Sequence, residues 1–380
     1  MPGPCRQHTM KIVLLTSSMG AGGAERVAAT LANAWSARGH QVTIMPTFSG
    51  RGDCFYPLAD QVELRYLADV AGANGAGKKN WKTMLVRLLA LRRFFRATRP
   101  DVIISFITNV NAAAVIASAG LRIPTIVCER SDPFAQPTTR IGKLYGALTY
   151  RFASCLMVQT AAVEQKYRQA KTRLKRLAVI PNPIPPQFEL APARRRESTR
   201  RHLVGVGRLA DEKQFGLLID IFARLASAHP DWHFHIVGKG PLEAQLQRRI
   251  DAHGLAQRIE LRGPSSDIHA TLQQADGFVL ASRYEGFPNA LLEAMATGLP
   301  CVTFDCPSGP REMTEAGQVA LLVPSNDTAG MEQALRTLMG DAQLRERLGP
   351  QARSSVMRRF SVEAVLSQWE ALFREVGALR

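Results

Sequence analysis

Apolar positions along this chain alternate between two rhythms: short β-rich runs, then stretches of helical period. The run at 12–16 enters the glycine-rich segment Gly20-Ala-Gly-Gly-Ala-Glu25. After it Val27, Leu31, Ala34 and Trp35 share one helical face up to Gly39, and 42–45 reads as a second buried strand. Strand, glycine turn, helix, strand is the opening of a doubly wound parallel sheet. The same patterning predicts strands at 62–66, 102–105, 125–128, 155–159 and 178–180, with helices between several of them. Pro181-Asn-Pro-Ile-Pro-Pro186 and the charged stretch 191–201 then break regular structure and mark a linker.

Beyond the linker the grammar restarts. A strand at 202–206 ends in the turn Gly207-Arg208, followed by a helix at 215–228, a strand at 233–237 and the segment Gly238-Lys-Gly-Pro241. Helix 242–253, strand 259–262, helix 268–274, strand 277–280, helix 289–297 and strand 300–304 follow, and a last helix at 362–376 has no strand after it. The expected fold class is α/β, with two Rossmann-like doubly wound domains facing across a cleft. Ligands of such sheets bind beyond the carboxyl ends of the strands.

Composition changes the picture in one respect. Residues 1–190 hold 25 Lys/Arg against 10 Asp/Glu, whereas 191–380 hold 23 against 22, so nearly all of the net charge of +16 sits in the first half. An excess confined to one half points to an anionic partner there. Cys5, Cys54, Cys128, Cys155, Cys301 and Cys306 form no CxxC pair and no Cys/His metal spacing, the pattern of reduced cysteines in a cytoplasmic protein. No apolar run approaches the ~18 residues that span a bilayer, so the expectation is a soluble or membrane-surface protein.

Candidate chemistry concentrates in two segments. In Ser282-Arg-Tyr-Glu-Gly-Phe-Pro-Asn-Ala-Leu-Leu-Glu-Ala294, Gly286, Phe287 and Pro288 hold a turn, and Asn289 is placed to cap the helix that carries Glu293. Free amides at a helix start attract phosphate oxygens, which makes this turn a seat for a diphosphate. Glu285 in the loop can reach sugar hydroxyls, and Glu293, a turn into the helix, can bond a diol such as ribose. The bland alternative is a capping turn flanked by two solvated glutamates. In Gly205-Val-Gly-Arg-Leu-Ala-Asp-Glu-Lys213, Arg208 and Lys213 leave the end of a strand where a diphosphate would lie. Two fixed cations can neutralise a departing diphosphate, the work a metal does elsewhere; solvated surface cations are the alternative.

On these segments the chain resembles the family 4 glycosyltransferases, retaining enzymes of GT-B fold. The likeness runs from Lys11 to about Val376 through Gly-Gly-Ala-Glu-Arg (22–26), Gly-Arg…Lys (207–213), Val-Gly-Lys-Gly-Pro (237–241) and the Glu285/Glu293 pair. Glu-Arg-Ser-Asp-Pro (129–133) and Phe-Asp-Cys-Pro-Ser-Gly-Pro-Arg-Glu (304–312) resemble the branch that builds bacterial exopolysaccharide, O-antigen and lipid-linked oligosaccharides. The resemblance implies an acceptor-side domain over 1–186, a nucleotide-sugar domain over 187–360, and a helix at 361–380 crossing back to the first. It implies diphosphate contacts from Arg208 and Lys213, sugar contact from Glu285, main-chain contacts near Gly286, Phe287 and Asn289, and ribose contact from Glu293. Gly22 and Gly23 would let a backbone loop approach the donor. Many relatives place a His after the strand at 125–128; here Cys128-Glu-Arg-Ser131 stands instead, so Glu129 or Arg130 takes a related role or none.

The donor implied is a nucleotide-diphosphate hexose or N-acetylhexosamine, with UDP favoured by family frequency alone. The sequence contains no Asp-x-Asp motif, and together with Arg208 and Lys213 this leads to an expectation of no metal and no cofactor. From Lys78 to Arg99 the chain carries Lys78, Lys79, Lys82, Arg87, Arg92, Arg93, Arg96 and Arg99 without an acid, interleaved with Trp81, Met84, Leu85, Leu88, Leu89, Leu91, Phe94 and Phe95. This is either a membrane-surface helix or a core-packed helix with a solvated charged face. The charge asymmetry favours an anionic membrane and a lipid-linked or polysaccharide acceptor, on the inner face of the cytoplasmic membrane. A nicotinamide enzyme is disfavoured because Glu25 stands where the third glycine of G-x-G-x-x-G belongs. No nucleic-acid motif accompanies the basic run. A sugar-nucleotide epimerase or a non-catalytic partner subunit of the same fold is the remaining alternative.

Overall fold

A computed structural model of the chain describes residues 9–47, 52, 54–72, 81–134, 146, 148–190, 199–265 and 267–379. They form two compact units, one ending at Pro183 and rejoined by the chain from Val362, the other Ile184–Ser361. Lys78, Lys79, Cys5 and the 191–198 part of the expected linker lie outside the described residues.

The first unit contains strands β1 (Lys11–Thr16), β2 (Gln41–Pro46), β3 (Glu63–Leu64), β4 (Val102–Phe106), β5 (Thr125–Cys128), β6 (Cys155–Val158) and β7 (Leu177–Val179). They pair in parallel in the order β3-β2-β1-β4-β5-β6-β7. Every residue of β4, β5 and β6 is buried, which a parallel sheet covered on both faces requires. Ile12, Leu14, Ile104 and Phe106 lie in a core with helices Gly23–Ala37 and Val362–Glu375. Val13, Leu15 and Ile103 lie in another with helices Trp81–Thr98 and Thr108–Ser118.

The helix Val362–Glu375 is fixed by aromatic packing. Trp369 meets Trp35 edge-on with centroids 5.6 Å apart, and Phe373 lies 5.8 Å from both rings. Arg38 pairs with Glu363 and Glu370 at the rim. Aromatic burial dominates such a contact, since exposed ion pairs contribute ~1 kcal/mol or less. The strand expected at 62–66 shrinks to Glu63–Leu64, because the chain turns at once into the helix Leu67–Ala71.

The second unit contains β8 (Arg201–Val206), β9 (Trp232–Val237), β10 (Ile259–Leu261), β11 (Gly277–Leu280), β12 (Cys301–Asp305) and β13 (Leu321–Pro324). They too are parallel, in the order β10-β9-β8-β11-β12-β13. The strand order reverses beside β8, whose neighbours are β9 and β11, and this is the topological switch point of the sheet. Patterning alone does not reveal β13 or the helices Thr328–Gly340 and Ala342–Phe360. The last contains Gly349 and Pro350, which local reading takes as breakers. Gly349 is there because that helix touches the turn after Asn289–Ala296: a Cβ on it would sit 2.2 Å from the Gly298 carbonyl oxygen.

One face of β8 and β9 carries three imidazoles. His202 and His233 are register partners, and the His202 ring stacks on His235 at 4.5 Å. Burial holds His235 down to about 4, aided by Arg262; burial also lowers His202 and His233. All three take up a proton less readily when folded, whereas the unfolded chain takes up protons from 6.5 downward. Stability is therefore lost as pH falls through that window. Urea titrations between pH 6.5 and about 4 should show a falling midpoint, and His235→Gln should reduce that fall; an identical slope in the variant would show that His235 does not drive it.

Candidate functional site

At the carboxyl edge of the second sheet, the loops leaving β8 and β9 lie backbone on backbone. Gly207 N–H donates to the Val237 oxygen at 3.0 Å, and Leu209 N–H to the Lys239 oxygen at 3.1 Å. A Cβ on Gly238 would fall 1.9 Å from the Gly207 oxygen, and one on Gly240 2.3 Å from the Leu209 oxygen. The Gly-Lys-Gly spacing is thus demanded by the close approach of two main chains.

From this platform the chain makes a 3-10 turn, Asp211–Lys213, ended by Gln214 at a φ of 51°. Lys213 folds its stem over Gly207, where a Cβ would sit 3.3 Å from the Lys213 Cε. Its Nζ reaches Glu285 Oε1 at 2.6 Å, and Ser282 Oγ donates to the same oxygen at 2.7 Å. Both charged side chains are mostly covered, at 18% and 11% exposure. Arg283 N–H donates to the Glu212 oxygen at 2.9 Å, joining the loops after β8 and β11 directly. The loop after β12 completes the cluster: Ser308 Oγ donates to the Gly286 oxygen at 3.0 Å, and Gly309 lies against Pro288.

Phe287 is buried, its ring edge-on to Phe360 at 6.0 Å. That anchor sets the start of the helix Asn289–Ala296. Asn289 does not cap it. Pro288 occupies the cap position and supplies no side-chain bond, while Asn289 N–H donates to the Phe287 oxygen at 2.9 Å. Pro288 has no hydroxyl or amide to offer, so the first-turn amides of Ala290 and Leu291 take no backbone carbonyl outside the helix among the described residues. Glu293, expected to bond a diol, is 2% exposed within this helix. Arg208 is exposed and leaves the same loop as Lys213.

Lys213, Glu285, Gly286, Phe287 and Arg208 therefore lie on one cluster of loops at a switch point, and Asn289 and Glu293 lie on the helix that leaves it. Ser282 and Ser308, which the sequence reading passed over, hold its carboxylate and its turn. Gly22 and Gly23 belong to the first unit, where Gly22 precedes the helix Gly23–Ala37. A Cβ there would lie 2.2 Å from Glu25 Oε2, and Ser18 Oγ donates to Glu25 Oε1 at 2.9 Å. A side chain at position 22 would therefore push the end of the Glu25 side chain aside.

The first unit gathers a second polar network around Glu129, which is 4% exposed. Its carboxyl accepts from the hydroxyls of Tyr150 and Thr108, the latter at 3.2 Å. Asn111 Nδ2 donates to Tyr150 Oη at 3.2 Å and to the Cys128 oxygen at 3.1 Å, and Ser105 Oγ donates to Asn111 Oδ1 at 2.8 Å. Thr108 is aimed by Ile107, whose φ of 78° is unusual for a β-branched residue. Tyr150, Thr108 and Asn111 had no motif to reveal them.

Loop-borne cations, a carboxylate and a helix start thus gather at the switch point of a parallel sheet, the place where ligands of such sheets bind. Comparison with known proteins makes this specific. Residues 22–183 match the family described as glycosyl transferase 4-like domain, and residues 187–355 match glycosyl transferases group 1. The two parts of the chain thus belong to these two glycosyltransferase domain families. It is 31% identical to an exopolysaccharide phosphotransferase of Streptomyces coelicolor over 98% of its own length, spanning 41% of that relative. It is 25% identical to an α-1,4-N-acetyl-D-galactosaminyltransferase of Campylobacter jejuni, named for a PP-undecaprenol-linked acceptor, over 97% of this chain and 99% of that one. Its fold is the GT-B fold of HepE from Anabaena, solved with UDP, at a TM-score of 0.76 and 20% identity, covering 97% of this chain and 100% of the other.

Burial, opposed by the Tyr150 and Thr108 bonds, raises the Glu129 carboxyl from 4.5 to about 7. A folded value above the unfolded one means this contribution to stability is complete below 4.5 and disappears as pH rises through about 7. Glu129→Gln should therefore remove a loss of urea midpoint between pH 4.5 and about 7; a pH dependence the same as in the unmodified chain would contradict a protonated Glu129.

Proposed function

We propose that this chain is a retaining, metal-independent glycosyltransferase. It moves a hexose or N-acetylhexosamine from a nucleotide-diphosphate donor, UDP-linked by family frequency, to a membrane-associated glycan acceptor. Its products belong to bacterial surface polysaccharide or lipid-linked oligosaccharide synthesis. The observation that carries this reading is the covered Lys213–Glu285 pair beside the uncapped start of Asn289–Ala296. Lys213 and Arg208 neutralise the charge that grows on the departing diphosphate, and the amides of Ala290 and Leu291 take its oxygens. Glu285 serves two partners: it holds Lys213 in place before the donor arrives, then accepts a hydroxyl of the transferred sugar. Glu293 bonds the ribose, and Gly22 and Gly23 remain donor contacts on the strength of the family resemblance. Positioning and fixed charge supply the catalysis, with no protein nucleophile. The relatives named for exopolysaccharide and for a PP-undecaprenol acceptor support the product class, and UDP in HepE supports the nucleotide.

Lys213→Ala and Glu285→Ala should each lower transfer of labelled sugar about 100-fold, the effect of removing one charge-stabilising group, with circular dichroism unchanged. Near-normal turnover in either variant would misplace the site. A thermal-shift screen of sugar nucleotides, with and without EDTA, identifies the donor. The same shift in both conditions is the expected result, and a donor bound without turnover would favour the epimerase or non-catalytic reading.

The acceptor's membrane is met by the helix Trp81–Thr98. Its second half is core: Leu91, Phe94 and Phe95 are buried, and Arg92 Nη1 donates to the oxygens of Ala117 at 3.0 Å and Ala119 at 2.6 Å. Its first half turns apolar groups outward, with Trp81 69% and Met84 64% exposed alongside Leu85 and Leu89. Lys82, Arg93 and Arg96 are exposed on the same helix. Apolar insertion with cationic flanks suits an anionic leaflet on the cytoplasmic side. The protein should co-sediment with anionic but not zwitterionic vesicles, less so at high salt, and Trp81→Ser with Leu85→Ser should weaken it; equal binding to both vesicle types would remove the electrostatic argument.

A further inference from the structure

At the carboxyl end of β5 the first unit fixes a cation without neutralising it. The Arg130 guanidinium lies over the Phe106 ring, its carbon 4.3 Å from the centroid. One Nη donates to Asn182 Oδ1, which also accepts from Gln159 Nε2 at 2.6 Å. Asn182 and Gln159 are themselves buried beyond the ends of β7 and β6. The guanidinium is thus clamped by a ring face and by an amide that is itself held.

What it lacks is an acid. Among the described residues its hydrogen-bond partner is an amide and no ion pair forms on it. Its Nε is buried and has no hydrogen-bond partner. Glu25 is near enough to act on it electrostatically, but the Glu25 carboxylate takes the Ser18 hydroxyl and lies against Gly22. Glu129, the next residue, is bonded to Tyr150 and Thr108. Burial pulls the guanidinium down to about 10. The ring face and the Asn182 oxygen offset part of the cost of covering this charge, but the Nε donor stays unmet, and an unmet buried donor costs free energy. The guanidinium fork matches the paired oxygens of phosphate or carboxylate.

We propose that Arg130, oriented by Asn182 and Phe106, is an oxyanion-binding residue of the first unit that takes a phosphate or carboxylate carried by the acceptor. Calling its ligand the acceptor rests on the glycosyltransferase reading; the oxyanion site stands without it.

The test is calorimetric titration of the full chain carrying Arg208→Ala and Lys213→Ala, which removes the two cations on which the candidate site of the second unit is built. Inorganic pyrophosphate, inorganic phosphate and glucuronate are added separately. At least one should bind, and Arg130→Gln should weaken that binding tenfold or more. Asn182→Asp provides a second route that keeps the arginine. It places a carboxylate where the amide oxygen now accepts, so it should raise the melting temperature and lower oxyanion affinity by a similar factor. Tighter binding of pyrophosphate or phosphate assigns the site to a phosphorylated carrier, and tighter binding of glucuronate assigns it to an acidic glycan. No binding in the doubly substituted chain, or unchanged affinity in both Arg130→Gln and Asn182→Asp, overturns the proposal. Labelled-sugar transfer by the unmodified chain is read in parallel. Oxyanion binding that depends on Arg130 without any transfer would sink the functional reading and leave this one standing.

Discussion

Main chain pressed against main chain is the constraint on which the candidate site depends. The loops after β8 and β9 bond to each other at Gly207 and Leu209, at a separation that leaves no room for a side chain on Gly238 or Gly240. That contact fixes where the 211–213 turn begins, and Gly207 then lets the Lys213 stem lie flat. The ammonium group arrives beside Glu285 because every step before it is backbone geometry. A cation on a platform of this kind pays little reorganisation when a charged ligand arrives, which is what electrostatic stabilisation requires.

The two units handle buried polarity in different ways. In the second, the charged pair at the switch point is partly exposed and each partner answers the other. In the first, Glu129 is buried and answered by hydroxyls, whereas the contacts of Arg130 among the described residues are an amide and a ring face. The first arrangement favours a protonated acid and the second leaves a charge in search of a counter-ion. Titration acts on the units with opposite sign as well: the histidines of β8 and β9 resist protonation, while Glu129 resists losing its proton.

The helix Trp81–Thr98 shows why a charge run needs a structure to interpret it. One reading of its sequence is a packed helix and the other a membrane-surface helix, and the fold divides it between them. Toward its C-terminus the apolar residues enter the core, and Arg92 becomes a cap for the carbonyls of a neighbouring helix. Toward its N-terminus the apolar residues face outward. Periodicity reports that a helix has an apolar side, but not which neighbour covers it.

From its sequence alone the protein was legible as two parallel α/β sheets, because strands buried on both faces must be apolar throughout and glycine turns must punctuate them. The loops bearing Lys213 and Glu285, which the fold brings together, were legible as segments too, since each is short and contiguous in sequence. Tertiary structure alone decided that Pro288 rather than Asn289 precedes the helix, that Gly349 and Pro350 stay helical, and that Leu321–Pro324 completes the second sheet. It alone joined Glu129 to Tyr150 and Thr108, and Arg130 to Asn182. The reason is physical. Propensity and period act over a few neighbouring residues, whereas a hydrogen bond between residues 21 or 52 positions apart is chosen by how strands and helices pack.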